Sequence, residues 1–168
     1  DINTGLIKDC IDPNCKNCRA AYLTCTRCDV ASDYFLDTNA ATDQVCIYKD
    51  DIPSGSGGNL ISGEIVACDS AGCLDCGPNY LECSSCDISA TYYLDTVAKR
   101  CVLQSMIPAL YGANPDGTIS GCAMPNCQIC QTLYTECTTC DVPSLYFRDP
   151  ADSSCVYVSD IVPGFGAN

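Results

Sequence analysis

Six cysteines at Cys10, Cys15, Cys18, Cys25, Cys28 and Cys46 stand as C-x4-C-x2-C-x6-C-x2-C-x17-C. The frame returns at Cys68, Cys73, Cys76, Cys83, Cys86 and Cys101, with 14 residues before the last cysteine. It returns again, with the spacings of the second copy, at Cys122, Cys127, Cys130, Cys137, Cys140 and Cys155. These are all 18 cysteines of the chain. A repeat at this period makes each copy one small structural unit. The expected division is 1–59, 60–114 and 115–168, each a cysteine-rich repeat plus connector, in an array expected to continue beyond both ends.

Units this small bury too little apolar surface to offset chain entropy, and this chain has 3 Phe and no Trp. Covalent staples fill that deficit, each disulfide contributing about 2–4 kcal/mol. Such bonds persist only in an oxidising compartment, so an extracellular or cell-surface location is expected. No signal peptide is visible at Asp1 and no apolar run reaches the length of a membrane span. The sequence thus reads as a mature ectodomain fragment. A net charge of −13, no His and only 8 Lys and Arg argue against nucleic acid and anionic membranes as partners.

The repeats extend beyond cysteine. After the fifth cysteine the chain reads CDVASDYFLD, CDISATYYLD and CDVPSLYFRD. Asp29, Asp87 and Asp141 share one position, Tyr34, Tyr92 and Tyr146 a second, and Asp37, Asp95 and Asp149 a third. Paired aromatics followed by small polar residues predict a strand entering a turn. The return strand would carry the sixth cysteine, which can then close on the fifth. The shared Asp is expected to accept backbone hydrogen bonds at the hairpin entrance. Tyr22, Tyr80 and Tyr134 share a position between the CxxC pairs and are expected to cover disulfides.

The connectors repeat as well, with Ile52, Ile107 and Ile161 each seven residues before Asn59, Asn114 and Asn168. Gly5, Ile7 and Cys10 match Gly63, Ile65 and Cys68, and Gly117, Ile119 and Cys122. Joining Asn168 to Asp1 would leave 22 residues between Cys155 and Cys10, beside 21 and 20 in the internal connectors. Two expectations follow: a covalently continuous array, or chains meeting head-to-tail, a heterologous contact that builds filaments when it does not close. Asp1, Ile2, Gly5, Ile7, Ile161, Pro163, Phe165 and Asn168 are the candidate assembly junction.

The runs NCKNCRAAYLTCTRC, GCLDCGPNYLECSSC and NCQICQTLYTECTTC resemble the furin-like cysteine-rich repeat of proprotein convertases, growth-factor receptors, R-spondins and large protist surface proteins. The resemblance covers all three units and rests on cysteine spacing and the aromatic hairpin. It implies a small disulfide-rich, mainly β fold: an elongated tandem array of short β-hairpin modules with three disulfides each. It also implies the pairs Cys10–Cys18, Cys15–Cys25, Cys28–Cys46, Cys68–Cys76, Cys73–Cys83, Cys86–Cys101, Cys122–Cys130, Cys127–Cys137 and Cys140–Cys155. Spacing alone leaves 15 pairings per unit open. The connectors are longer than furin-like arrays lead one to expect, and too apolar for flexible linkers. They are expected to form extra strands or to pack on the next unit.

Other chemistries fare poorly. The CxxC pairs sit six residues apart, against roughly 15–20 in zinc ribbons. No βαβ pattern surrounds them for thioredoxin-like redox work. Without His there is no Ser–His or Cys–His nucleophile. Calcium ligation by the shared Asp, or by Asp33, Asp37 and Asp43, lacks a dense oxygen loop. No cofactor, catalytic residue or metal ligand is expected. No N-x-[ST] sequon occurs, and Ser54, Ser56 and Thr118 are candidate O-glycan acceptors. The functional expectation is an extracellular fibre, filament or cell-surface appendage whose partner is itself, through further repeats or identical chains. The alternative is a cysteine-rich stalk or ligand-binding ectodomain of a receptor or surface antigen.

Overall fold

A computed structural model describes residues 9–18, 22–38 and 44–166. Contacts gather the chain into two compact units, Asp1–Ser84 and Ser85–Asn168. The boundary falls inside the second repeat, between its fourth and fifth cysteines, so each connector lies within a unit.

The described residues form short strands. The first repeat holds β1 (Cys15–Asn17), β2 (Arg27–Cys28), β3 (Tyr34–Asp37) and β4 (Val45–Tyr48), and its connector β5 (Ser56–Gly58) and β6 (Ile65–Ala67). The second holds β7 (Cys73–Asp75), β8 (Ser85–Cys86), β9 (Tyr92–Asp95) and β10 (Arg100–Leu103), followed by β11 (Tyr111–Ala113) and β12 (Ile119–Gly121). The third holds β13 (Cys127–Ile129), β14 (Thr139–Cys140), β15 (Tyr146–Arg148) and β16 (Cys155–Tyr157). The fold is therefore small, disulfide-rich and mainly β, a tandem array of hairpins.

Each aromatic hairpin starts the same way. The fifth cysteine and the shared Asp lead into a 3-10 turn, Val30–Ser32, Ile88–Ala90 or Val142–Ser144. A left-handed residue closes the turn: Asp33 at φ 64°, Thr91 at 62° and Leu145 at 66°. Those dihedrals reverse the chain, and the Tyr that follows donates its N–H to the carbonyl of the shared Asp at 3.1, 3.0 and 3.1 Å. Register is then identical in all three hairpins. The sixth cysteine faces Leu36, Leu94 or Arg148, two residues past the Tyr. In the first and third hairpins the Tyr meets a cross-strand Tyr, with ring centroids 5.3 Å apart for Tyr34–Tyr48 and for Tyr146–Tyr157. Such aromatic pairs stabilise a two-stranded ribbon too thin to bury much else.

Nine disulfides join first to third, second to fourth and fifth to sixth cysteine in every repeat. The 5–6 bond ties the return strand to the short strand before the turn. Sulfur supplies most of the core. One cluster in the first unit is Cys25, Cys28 and Leu36, with Cys15, Tyr34 and Cys46 packed against it. Its counterpart in the second unit is Cys127, Cys130, Cys137 and Cys140. Cysteine behaves here as a small hydrophobe. The disulfides also touch one another: Cys25 Sγ lies 3.3 Å from Cys46 Sγ, and Cys137 Sγ lies 3.4 Å from Cys155 Sγ.

Candidate assembly interface

The connectors are hairpins. In the first unit β5 pairs with β6, Gly57 facing Val66, and in the second β11 pairs with β12, Gly112 facing Ser120. Each connector hairpin grips structure on both sides through main-chain groups. Towards the preceding aromatic hairpin, Leu36 N–H donates to Gly63 O at 2.8 Å, and Leu94 N–H to Gly117 O at 2.8 Å. Gly63 and Gly117 have φ of 78° and 89°, a region that favours glycine.

Towards the following repeat the match is as close. Gly58 N–H donates to Gly77 O at 3.1 Å, and Ala113 N–H to Gln131 O at 3.2 Å. The return bonds run from Tyr80 N–H to Gly58 O (3.1 Å) and from Tyr134 N–H to Ala113 O (2.9 Å). One turn earlier, Gly55 N–H donates to Leu74 O and Leu110 N–H to Gln128 O, at 2.7 and 2.8 Å. Gly57 and Gly112 make this approach feasible. A Cβ on Gly57 would sit 2.6 Å from Cys76 Sγ, and one on Gly112 2.1 Å from Cys130 O. The expected packing of connectors as extra strands on the next repeat is thus present in both units.

What the connector covers follows from these contacts. Phe35 is fully buried, and the edge of its ring occupies the space a Cβ on Gly58 would need. Ile107 is 1% exposed, and Gln131 Nε2 donates to its carbonyl at 2.6 Å. The shared tyrosines Tyr80 and Tyr134 act through their backbone, since their carbonyls also accept N–H groups from Asp69 and Ala123 at 2.9 and 2.8 Å. The first repeat repeats this last bond, Ile11 N–H to Tyr22 O at 2.9 Å.

Of the proposed junction residues, Asp1, Ile2, Gly5, Ile7 and Asn168 lie outside the described residues. Ile161, Pro163 and Phe165 follow the 3-10 turn Val158–Asp160, and Phe165 is 79% exposed. Two of the candidate glycan acceptors donate hydrogen bonds: Ser54 Oγ to Leu74 O of the following repeat at 2.7 Å and Thr118 Oγ1 to the nearby Asp116 Oδ1 at 2.6 Å. Ser56 is half-buried in β5.

The carbonyl of the shared Asp accepts a backbone N–H in all three repeats, as expected at the hairpin entrance, while its carboxylate has different partners in each. At Asp87 it accepts the N–H of Ala90. Asp29 pairs instead with Lys16 Nζ at 2.6 Å and accepts from Ser32 Oγ. Asp141 accepts from Gln128 Nε2 at 3.0 Å. The difference comes from the residue after the second cysteine, Lys16 or Gln128 in those repeats; the second repeat has Leu74 there, with no donor to offer. The Lys16 bond holds the Asp29 carboxyl below its ordinary value, and the Ser89 hydroxyl and Ala90 N–H do so for Asp87. Asp33 Oδ2 is taken by Lys49 Nζ at 2.8 Å, and Asp43 lies outside the described residues. Sulfurs do converge, as at Cys15, Cys25 and Cys46 within 4.8 Å of one another, and all of them belong to disulfides.

Among the described residues no helix is long and apolar enough to cross a membrane. No family model, curated protein or solved structure matches this chain.

Proposed function

We propose that this chain is a structural protein, an array of furin-like cysteine-rich repeats that builds an extracellular fibre, filament or cell-surface appendage. One observation carries the reading: the connector interface recurs in both units with the same donors, acceptors and glycine contacts. An interface that repeats in register propagates, which is what an extended assembly requires. The role is mechanical, with disulfide-closed hairpins giving protease resistance and connectors transmitting load. It needs no catalytic group, in keeping with a sequence that has no His.

Electron microscopy of the native, unreduced material, with SDS gels run with and without reduction, tests this. Filaments from a polypeptide far above 17.8 kDa would support a covalent array. Filaments that dissolve in detergent to 17.8 kDa chains would support head-to-tail assembly. Compact monomers at high concentration would refute the fibre.

One feature of the first unit favours a second reading, a stalk or ectodomain that binds a ligand. A cleft of about 330 Å³ opens among Lys49, Asp50, Ile52, Asp75 and Pro78. At the matching place in the second unit two amide side chains cross the gap: Gln104 Nε2 donates to Thr132 O, and Gln131 Nε2 to Ile107 O. Chemical-shift changes confined to this cleft on exposure to candidate sugars or acidic and basic peptides would move the assignment to a receptor.

A further inference from the structure

We infer that the cleft of the first unit binds a guanidinium group, the side chain of an arginine presented by a partner peptide, an inference that rests on the second reading above. The second unit shows what the same place looks like when it is filled. Aligned on their cysteines, the repeats put Gln104 at the position of Lys49 and Gln131 at that of Gly77. Gln104 Nε2 donates to Thr132 O at 2.9 Å, and Gln131 Nε2 to Ile107 O at 2.6 Å. The carbonyls at those positions in the first unit belong to Pro78 and Ile52, both of which line the cleft.

Neither residue that replaces a glutamine supplies the missing donor. Lys49 Nζ is turned to Asp33 Oδ2 at 2.8 Å, and Gly77 has no side chain. Among the described residues nothing donates to Ile52 O or Pro78 O. Burial follows the same division: Ile107 is 1% exposed, whereas Ile52 is half-buried on the wall of the cleft.

Charge has changed together with shape. Asp50 and Asp75 line the cleft, at the positions of Ser105 and Ile129 in the second unit. Lys49 is neutralised by Asp33, so the wall presents these two carboxylates beside the two carbonyls. An occupant must therefore bring several N–H donors and a positive charge. A guanidinium carries its donors in one plane, has no acceptor and stays charged at any working pH. It also reproduces the planar N–H edge with which glutamine fills the second unit. An ammonium is a compact, strongly hydrated point charge without that edge. The volume, about 330 Å³, lies at the small end of ligand sites and suits one side chain.

Titration of the oxidised chain with N-acetylarginine amide, followed by amide chemical shifts, is the test. Shifts should fall on Ile52, Ser54 and Gly77 and leave Ile107 and Gln131 unmoved. N-acetylcitrulline amide, of the same shape without the charge, should bind roughly three- to tenfold more weakly. Gly77→Gln restores the side chain of the second unit, at a position where a Cβ meets nothing within 4 Å, and should abolish binding. Gly77 has φ 49°, so folding of that variant is checked by its unfolding midpoint. Asp50→Ser, at an exposed position, tests the charge independently: it should weaken arginine binding roughly two- to fivefold and leave citrulline unaffected.

Equal binding of arginine and citrulline, or arginine binding untouched by Asp50→Ser and by a folded Gly77→Gln, would overturn the guanidinium assignment. Shifts at the cleft with a sugar or an acidic peptide, and none with arginine, would overturn it while leaving a ligand-binding stalk in place. No shift with any of these probes would overturn both.

Discussion

Gly112→Ala tests the claim that connectors are structural parts of the units. The added Cβ would lie 2.1 Å from Cys130 O, 2.7 Å from Tyr134 Cα and 2.9 Å from Cys130 Sγ. Two of these are backbone atoms and the third belongs to a disulfide, so none can swing aside as a flexible side chain would. Overpacking in a rigid site costs about 1–3 kcal/mol. Separating the strands enough to relieve it stretches the two bonds between Ala113 and the 131–134 loop, 3.2 and 2.9 Å long, each worth about 1 kcal/mol. The expected loss is about 3–5 kcal/mol, a large share of a typical domain's stability. Guanidinium unfolding with disulfides intact gives the total, and amide exchange at Ala113 and Tyr134 shows where it falls. Gly121→Ala is the control, since its nearest atom, Leu110 O, is 3.8 Å away. Gly57→Ala should fall between the two, its closest contact being the 2.6 Å approach to Cys76 Sγ. If Gly112→Ala and Gly121→Ala agree within about 0.5 kcal/mol, the gripping interface is wrong.

Three further outcomes are expected. In Cys140→Ala, the Cys155 thiolate lies 3.4 Å from Cys137 Sγ and should attack it, forming Cys137–Cys155 and releasing the Cys127 thiolate. Alkylation and peptide mapping will then tag Cys127, whereas Cys140→Ala/Cys155→Ala keeps Cys127–Cys137 and loses about 3 kcal/mol, the value for a loop of this size. Thr91→Gly should raise stability by about 1 kcal/mol in guanidinium unfolding, because a β-branched residue at φ 62° is strained where glycine is not. Stability against pH should show a plateau with two limbs. Asp87 and Asp116 are held below their ordinary 3.8, chiefly by the hydroxyls of Ser89 and Thr118. Their contribution is complete above pH 3.8 and lost as pH falls through the lower folded values. Lys49, raised above 10.5 chiefly by its bond to Asp33, contributes below that pH and loses the contribution as pH rises through its folded value. With no His, no side chain has an ordinary value in the middle of the plateau.

Much of the fold is legible in the residues, for stated reasons. The Tyr-Phe or Tyr-Tyr pairs and the sixth cysteine mark a hairpin, and its register follows once Tyr34, Tyr92 and Tyr146 are aligned. The apolar connector residues Ile65, Val66 and Ile107 signal packing where a free linker would be polar. The cysteine pairing came from the furin-like resemblance; spacing could not choose among the alternatives. Three things were not legible. Asp33, Thr91 and Leu145 share a left-handed conformation without sharing a residue type, so no side chain announces it. The three roles of the shared Asp depend on Lys16, Leu74 and Gln128, which cysteine alignment places together but does not connect to Asp chemically. The importance of Gly57 and Gly112 is hidden for a similar reason. An alignment shows them as one position, and only the neighbouring sulfur and carbonyl show why that position stays empty of a Cβ.

The connector reads its neighbours through N–H and C=O groups, a disulfide sulfur and the gap left by a missing Cβ. Apart from that sulfur, the pairing common to both connectors is made by main-chain atoms, so SGG and YGA both serve as the first connector strand. Whole repeats can then be duplicated, deleted or recombined without a new complementary surface having to arise. Copy number becomes adjustable in single steps, while side chains outside the interface are left open to diversify.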